Sequence, residues 1–398
     1  MKIRVCRYKL GGYPPNSAGS DGMSSPDQAE SIQADVLIIG AGPAGCATAI
    51  HLGQLGIRNV VLVDRHQFPR DKTCGSGISP KGIETLKALG VWDAIAPDAY
   101  SIKGLRLVTP GNAEAYISAA EEAVAIVCKR RILDNCLLRR AESLGLRFIP
   151  AFEARGLIYD RGRAAGAEAR DGRTVRAKYT VVADGAHSRF TLNSKSKRTL
   201  QGIMGWWENV PFKPNHVEMV FDKMLLPHYG WLFPETSSRV NIGICYEDPS
   251  HTKNANVLFD RFLRKHYGTR LAAAVQLKHW KGSPISYSYR VRHLQSPGRL
   301  IVGEAGRLTH PATAEGIYQG MRSGMIAAEA LRDVLSESSD EERTWTAYEA
   351  RCRRAFRASF WSARVWRGAV KTSLLDWMVG LGQQPGVKRA LAKLMSQM

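Results

Sequence analysis

Three glycines, one acid and several aromatic side chains in this chain have types and spacings suited to chemistry. Gly40, Gly42 and Gly45 form G-x-G-x-x-G directly after the apolar run Val36-Leu-Ile-Ile39 and directly before Cys46-Ala-Thr-Ala-Ile50. The β-branched run reads as a buried strand, and the small residues beyond the turn open a helix. Gly40 permits a sharp turn, Gly42 lets the backbone approach a pyrophosphate, and Gly45 lets helix and strand pack closely. The helix N-terminus adds unpaired N–H groups and positive dipole for the phosphates. A second strand, Asn59-Val-Val-Leu-Val63, ends at Asp64, about 20 residues on, where an acid binds ribose hydroxyls. Strand, turn, helix, strand and acid in that order specify a dinucleotide site, and leave NAD, NADP and FAD open.

Two later segments bear on that choice. Val181-Val-Ala-Asp184-Gly185-Ala-His-Ser-Arg189 and Leu300-Ile-Val-Gly303-Glu304-Ala-Gly-Arg both end a buried strand in an acid and glycines. The second then enters a helix whose N-terminal N–H groups can face an anion. One extended ligand met by three strand ends far apart in sequence suits FAD better than a nicotinamide held by a single βαβ unit. His228 and His310 are candidate proton sources, while Arg70 and Lys72 can meet an anionic cofactor or stay solvated. Seven cysteines, none in C-x-x-C spacing, point to a reducing compartment, with no disulfide framework and no metal site expected.

These residues need elements to hold them. Residues 1–33, rich in Gly, Pro, Ser and Asp, read as a disordered extension. Helices are expected from Lys81, around Ile132–Glu142, over Val257–Tyr267 and over Ile317–Leu335. Strands are expected at Gly104–Val108, at Glu114–Ser118, near Phe148, Gly156 and Val175, and at Ile285–Val291. Residues 200–250 alternate as an antiparallel sheet does. The division that follows is an FAD-binding domain from 34–190 and 292–335, a substrate sheet domain from 191–291, and a basic helical region from 336–398. In that last region Trp345, Tyr348, Cys352, Phe356 and Trp366 recur near helical spacing, a pattern of core packing ahead of a membrane face.

The formal net charge is +20, and from Arg343 onward eleven lysines and arginines face two acids, Glu349 and Asp376. Such a field attracts an anionic membrane surface, an acidic carrier protein or a diphosphate substrate, and the alternative is a solvated basic helical face. Nucleic acid is not expected, since no nucleic-acid module accompanies the charge. No signal-peptide core and no bilayer-length apolar run is visible, so a cytoplasmic protein, peripheral at the membrane, is expected.

The chain resembles the FAD-dependent oxidoreductases of the geranylgeranyl reductase family, within the wider aromatic-hydroxylase-like flavoproteins. The resemblance covers about residues 34–335. It rests on Gly40-x-Gly42-x-x-Gly45, Pro69-Arg-Asp-Lys-Thr-Cys-Gly-Ser-Gly-Ile-Ser-Pro80 and Ala183-Asp-Gly-Ala-His-Ser-Arg189. It rests also on Tyr229-Gly-Trp-Leu-Phe-Pro234 and on Gly303-Glu-Ala-Gly…His310-Pro311…Glu315-Gly316-Ile317-Tyr-Gln-Gly-Met-Arg-Ser-Gly324. It implies an α/β fold: a Rossmann-like, glutathione-reductase-like FAD-binding domain, an inserted antiparallel-sheet substrate domain and a C-terminal helical region. Asp64 then matches the acid on the adenosine ribose, with Arg65 beside it. Arg130 matches an arginine near the FAD phosphates or ribityl chain, and Asp184 with Gly185 matches the Asp-Gly motif. Pro43 and Ala44 fall in the first turn, Gly75 follows Cys74, and Pro311 with Glu315-Gly316-Ile317 matches the segment passing the flavin ring. Tyr229, Trp231 and Phe233 match an aromatic motif lining the substrate cavity. Cys74 matches a cysteine near flavin and substrate, where it shapes the pocket or assists protonation.

Two positions depart from the family pattern: Glu304 stands where Asp is usual, and Ala314 where Gly is usual. The implied activity is reduction of C=C bonds in a hydrophobic, prenyl-like substrate, with NAD(P)H or a separate reductase as electron donor. No second G-x-G-x-x-G follows a strand, so a nicotinamide would dock transiently. A monooxygenase on the same fold is the alternative. A halogenase is disfavoured because Trp206-Trp207-Glu-Asn-Val-Pro211 does not fit W-x-W-x-I-P. A non-catalytic flavin-binding or carrier-docking protein is a third reading.

Overall fold

The run Ile32–Ile39 (β1) is buried on both faces, which dictates what surrounds it. With period two, Val36 and Ile38 turn into one apolar cluster with the helix Pro43–Gln54 (α1), while Leu37 turns into another with Val61 and Phe152. This computed structural model describes residues 31–118, 124–192, 199–336 and 339–381. The extension expected over residues 1–33 therefore lies outside the described residues up to 30. Ile32 and Gln33 belong to β1, paired with Val175 and Arg176.

After α1 the chain forms β2 (Val60–Val63), β3 (Gly77–Ile78), α2 (Pro80–Ala88), α3 (Trp92–Ile95), β4 (Tyr100–Ile102), β5 (Gly104–Val108), β6 (Glu114–Ser118) and β7 (Ala125–Val127). Next come α4 (Arg130–Ser143), β8 (Arg147–Ile149), β9 (Ala154–Asp160), β10 (Arg163–Ala169) and β11 (Thr174–Val182). The strands β12 (Thr199–Glu208), β13 (His216–Val220), β14 (Gly230–Pro234) and β15 (Arg239–Tyr246) precede α5 (Ala255–Leu271) and β16 (Val275–Ser286). The chain closes with β17 (Gln295–Ser296), β18 (Arg299–Ile301), α6 (Ile317–Leu335), α7 (Glu341–Ala369) and α8 (Leu374–Leu381).

One sheet has the order β17-β18-β11-β1-β2-β8, with the β9–β10 hairpin attached to β11. From β18 to β8 its neighbours are parallel, as βαβ connections require. The second has the order β16-β12-β15-β14-β13-β5-β6 and is antiparallel except where β13 lies parallel to β5. The β5–β6 hairpin thus pairs with the second sheet, although its residues precede β11 in the chain. A small sheet, β3-β7-β4, joins the two halves.

The strand expected at Ile285–Val291 is a correction. The strand runs from Val275 to Ser286, and its first half is a sheet edge carrying the exposed Gln276, Lys278 and His279, which obscures it in the hydrophobic pattern. It ends where the Ser286 N–H turns away to the Glu304 carboxylate at 2.9 Å. The aromatic stripe of α7 packs as core: Trp345, Tyr348, Cys352 and Phe356 are buried against α6 and the first sheet, and the Tyr348 hydroxyl donates to the Ile301 carbonyl at 2.7 Å. Residues 382–398 of the basic region lie outside the described residues. Among the described residues no helix is long and apolar enough to cross a membrane.

Candidate active site

A cavity of about 830 Å³ runs from the β1–α1 turn to the inner face of the second sheet. Its first end is made by backbone. Gly40 has φ of +106°, and a Cβ there would stand 2.5 Å from the Ala183 carbonyl oxygen, so β11 presses against the turn. Gly42 faces open space: its nearest neighbour would be an Arg70 guanidinium nitrogen at 3.8 Å. The N-terminus of α1, with Pro43 at its start and no side-chain cap, offers its N–H groups there. Asp64, at the end of β2, accepts from Ala41 N–H at 2.8 Å and from His66 N–H at 2.9 Å, one bond on each oxygen. Each oxygen keeps a lone pair for a ribose hydroxyl.

Charge beside the turn is unbalanced in favour of an anion. Asp134 on α4 is fully buried; it takes a two-point bond from Arg130 (2.7 Å on each oxygen) and an ion pair from Arg70 at 3.1 Å. Burial works against the Arg130 charge, and the Asp134 carboxylate overrides it and holds the guanidinium protonated. One carboxylate between two guanidiniums leaves one positive charge uncompensated, and the Nε and Nη1 groups of Arg70 are buried without a partner. A diphosphate would satisfy both deficits. Across the cavity the Oδ1 of Asp184 is also buried without a partner, and burial pushes that carboxyl up to about 6. An open glycine turn, an acid at the end of β2 and unpaired cationic N–H groups between them fit FAD.

Further along, Glu304 is half-buried, and desolvation raises its pKa, with Lys72 and Arg130 opposing the shift. Its extra methylene lets it reach the Ser286 N–H, so it fastens β16 to the floor of the cavity. Glu315 is raised in the same way and accepts from the Ser79 N–H at 3.2 Å. The loop before it is tightly turned: the His310 N–H donates to the Glu315 carbonyl at 2.8 Å, and Ala314 has φ of 56°.

The other end of the cavity is aromatic. Tyr229, Trp231 and Phe233 alternate along β14 and its entry and share one face, with successive ring centroids 6.3 and 6.0 Å apart. Each is held. The Tyr229 hydroxyl donates to the Thr313 carbonyl at 2.5 Å, and the Trp231 indole donates to Asn241 at 2.7 Å. Phe233 lies against Gly75 and Gly77, where a Cβ would come within 3.4 and 3.1 Å of its ring. The loop that carries Cys74 is thereby clamped to the aromatic wall, and the Cys74 sulfur accepts from the Ser76 N–H at 3.3 Å. Leu107, Met204, Val217, Met219, Phe221 and Trp366 complete an apolar chamber.

The cavity gathers Gly40, Gly42, Pro43, Ala44, Asp64, Arg65, Cys74, Gly75, Arg130, Asp184, Gly185, Tyr229, Trp231, Phe233, Glu304, Glu315, Gly316 and Ile317 on its lining. Four expected site residues stand behind it. Gly45 and Gly303 serve packing: Cβ atoms there would meet the Gly40 carbonyl oxygen at 1.9 Å and the Ala44 Cβ at 2.8 Å. His310 is buried away from the lining; its Nδ1 accepts from the Thr313 N–H at 3.1 Å, its Nε2 faces the Ser359 carbonyl at 3.3 Å, and burial lowers its pKa to about 4. Pro311 presents its carbonyl to Arg367. His228 is a further correction to the reading of histidines as proton sources, since it is buried against Arg367 at 3.0 Å. Asp134, Asn241 and Arg367 have no role assigned by sequence pattern alone. Only Asp134 left a signal there, as the acid four residues after Arg130 on a helix.

Residues 33–361 match the model of the FAD binding domain family. The chain is 26% identical to the digeranylgeranylglycerophospholipid reductase of Thermoplasma acidophilum over 87% of its length and 91% of the relative's. It is 30% identical to the menaquinone reductase of Mycolicibacterium smegmatis over 75% of its length and 76% of the relative's. Among solved structures, a geranylgeranyl bacteriochlorophyll reductase-like protein of Thermoplasma acidophilum superposes with a TM-score of 0.79 at 23% identity, covering 88% of this chain and 91% of that one. A flavin-dependent brominase superposes at 0.74 and 20%, covering 92% and 93%. These two show a shared fold. With a family match over most of its length and a cavity whose lining fits FAD, the chain belongs to the FAD binding domain family and is an FAD-dependent oxidoreductase of the geranylgeranyl reductase kind.

Proposed function

We propose that this chain saturates C=C bonds in the prenyl-like tail of a lipid. The observation that carries the reading is a single cavity joining the glycine turn to an apolar, aromatic chamber. The relatives named as digeranylgeranylglycerophospholipid and menaquinone reductases support a hydrophobic substrate. When bound, FAD supplies the hydride, and NAD(P)H or a separate reductase supplies its electrons.

The chain's own residues bind, orient and keep the site dry. The α1 N-terminus, Arg70 and Arg130 would take the pyrophosphate, and Asp64 with Arg65 would take the adenosine ribose. Asp184, Gly185 and Glu304 would take the ribityl side, and the segment Glu315–Ile317 that leads into α6 would lie toward the ring, where helix dipole favours negative charge. Tyr229, Trp231 and Phe233 shape the chamber. The bonds to Thr313 and Asn241 hold two of these rings in place before any substrate arrives. Removing water protects a reactive hydride donor from side reactions. Cys74, on the cavity lining, would give the proton to the second carbon, whereas the proton of Tyr229 is committed to Thr313.

The test is anaerobic incubation of the FAD-loaded protein with NADPH or dithionite and a menaquinone or geranylgeranyl lipid, read by mass spectrometry. Gain of two hydrogens per reduced bond supports the reading, and Cys74→Ser should slow that step. A hydroxylated product on admission of oxygen, with no anaerobic product, would replace it by a monooxygenase. A protein that takes up no flavin would sink both.

A further inference from the structure

Four of the eight large hydrophobic side chains exposed among the described residues lie within one short segment: Trp361 (68% exposed), Val365 (54%), Leu374 (44%) and Trp377 (63%). That concentration calls for a cause, because scattered exposed apolar residues are ordinary and clustered ones are not. On α7 the exposed positions Arg357, Trp361, Arg364, Val365 and Gly368 recur at intervals of three and four, so they form one face. The opposite face, with Phe356, Phe360 and Ala363, is core. The chain then turns into α8. There Leu375 and Val379 pack beneath, with Leu105, Leu107 and Ile117, while Leu374 and Trp377 point outward. Asp376 pins this arrangement by accepting from the Gly111 N–H at 2.8 Å.

Along this stretch of chain the fully exposed charges are of one sign. Arg354, Arg357, Arg364 and Lys371 are exposed, and the one acid from Arg354 to Trp377 is Asp376, already engaged with Gly111. A second copy of this chain would bring the same cations face to face, which opposes self-association. Tryptophans and aliphatic residues set among arginines are the composition that lies in a bilayer interface, with the rings at headgroup depth and the cations on anionic headgroups.

The surface is continuous with the cavity. Trp366, half-buried between the two faces of α7, lines the cavity, and its ring centroid is 6.0 Å from that of Phe221. Leu107, which α8 covers from outside, lines the same end. We propose that the outer face of α7 and α8 docks on an anionic lipid bilayer, placing the apolar end of the cavity beside Trp366 against the membrane from which a lipid tail enters. Docking is independent of the chemistry; the identity of what enters rests on the reductase reading above.

The test uses the full chain loaded with FAD and vesicles of equal parts phosphatidylglycerol and phosphatidylcholine. Sedimentation should show binding that weakens with salt and is lost on pure phosphatidylcholine. Trp361→Ser combined with Trp377→Ser should lower partitioning by about tenfold or more, with flavin absorbance and thermal midpoint unchanged, because both rings are exposed. Activity on a vesicle-embedded prenyl lipid should fall in parallel, while turnover of a short, water-soluble prenyl alcohol should not. Partitioning unaffected by the double substitution overturns the proposal. So does a wild-type chain that ignores vesicles but is retained by an acidic acyl carrier protein. Tryptophan-dependent vesicle binding with no lipid reduced in either form supports the docking surface and counts against the reductase reading alone.

Discussion

Arg367 on α7 donates a hydrogen bond to the carbonyl oxygen of Pro311, 2.9 Å away, and so ties that helix to the loop that brings Glu315 into the cavity. The same guanidinium meets Glu247 at 2.5 Å and His228 Nε2 at 3.0 Å, and the Tyr287 hydroxyl donates to the same Glu247 oxygen at 2.6 Å. An arginine has only donors, so His228 must accept through Nε2 and stay neutral. Burial, which lowers its pKa, favours that form. Arg367→Met removes the donor to Pro311 and strands Glu247. Because Glu247 is about a third exposed, the expected loss is about 2–3 kcal/mol, below the range for a fully buried pair. Urea unfolding of wild type and variant measures it, and a loss under 1 kcal/mol would show that the tie is dispensable.

Arg70 is the second residue with a definite expectation. Two of its N–H groups are buried without a partner, and Asp134 retains Arg130 if it is removed. Arg70→Met should therefore leave the fold intact while weakening FAD binding by roughly ten- to a hundredfold, the scale of one charge-assisted contact to phosphate. Flavin fluorescence titration of the apoprotein reads this directly. Unchanged affinity would mean that the diphosphate lies elsewhere.

Ala314 holds φ of 56°, a conformation that costs an L-residue roughly 1–2 kcal/mol relative to glycine. Ala314→Gly should raise stability by about 0.5–1 kcal/mol, the steric relief being offset in part by the greater freedom of glycine in the unfolded chain. The measurement is thermal or urea unfolding. A destabilised variant would show that the methyl group contributes packing worth more than the strain.

His310 makes stability depend on pH. Its neutral form is needed, because Nδ1 accepts from the Thr313 N–H and a proton there would meet another donor. The folded pKa is about 4 against an ordinary 6.5. Between those values the unfolded chain binds more protons, so stability from this group is fully present above pH 6.5 and falls as pH drops toward 4. The full difference is roughly 3 kcal/mol. Unfolding midpoints at pH 5 and pH 7 should diverge in wild type and converge in His310→Gln; parallel behaviour of the two would assign the pH dependence to other groups.

Much of this architecture was legible from short-range pattern. Gly40 to Gly45 and Asp64 are specified by local steric needs that hold wherever the unit sits, and α6 follows from its own periodicity. The strand Val275–Ser286 was not legible over its first half, because on this edge strand the alternation of Val275 and Leu277 breaks off at Lys278 and His279. The β5–β6 hairpin joined the second sheet through β13, more than a hundred residues later, a pairing that no local rule encodes.

The sequence by itself determined the cofactor class and the residue types around it, since glycine turns, strand-end acids and aromatic alternation carry their chemistry within a few residues. Only the tertiary structure decided which of those side chains face the cavity. His310 and His228 are suitable proton donors by type, yet packing turns both inward, and burial and their hydrogen-bond partners keep them neutral. Asp134 came to lie between two guanidiniums only when α4 met the loop carrying Arg70. The outer face of α7 became a surface because its other face was already occupied by the core. Facing is a property of elements packed together from distant parts of the chain, and burial then sets the charge state that the residue type leaves open.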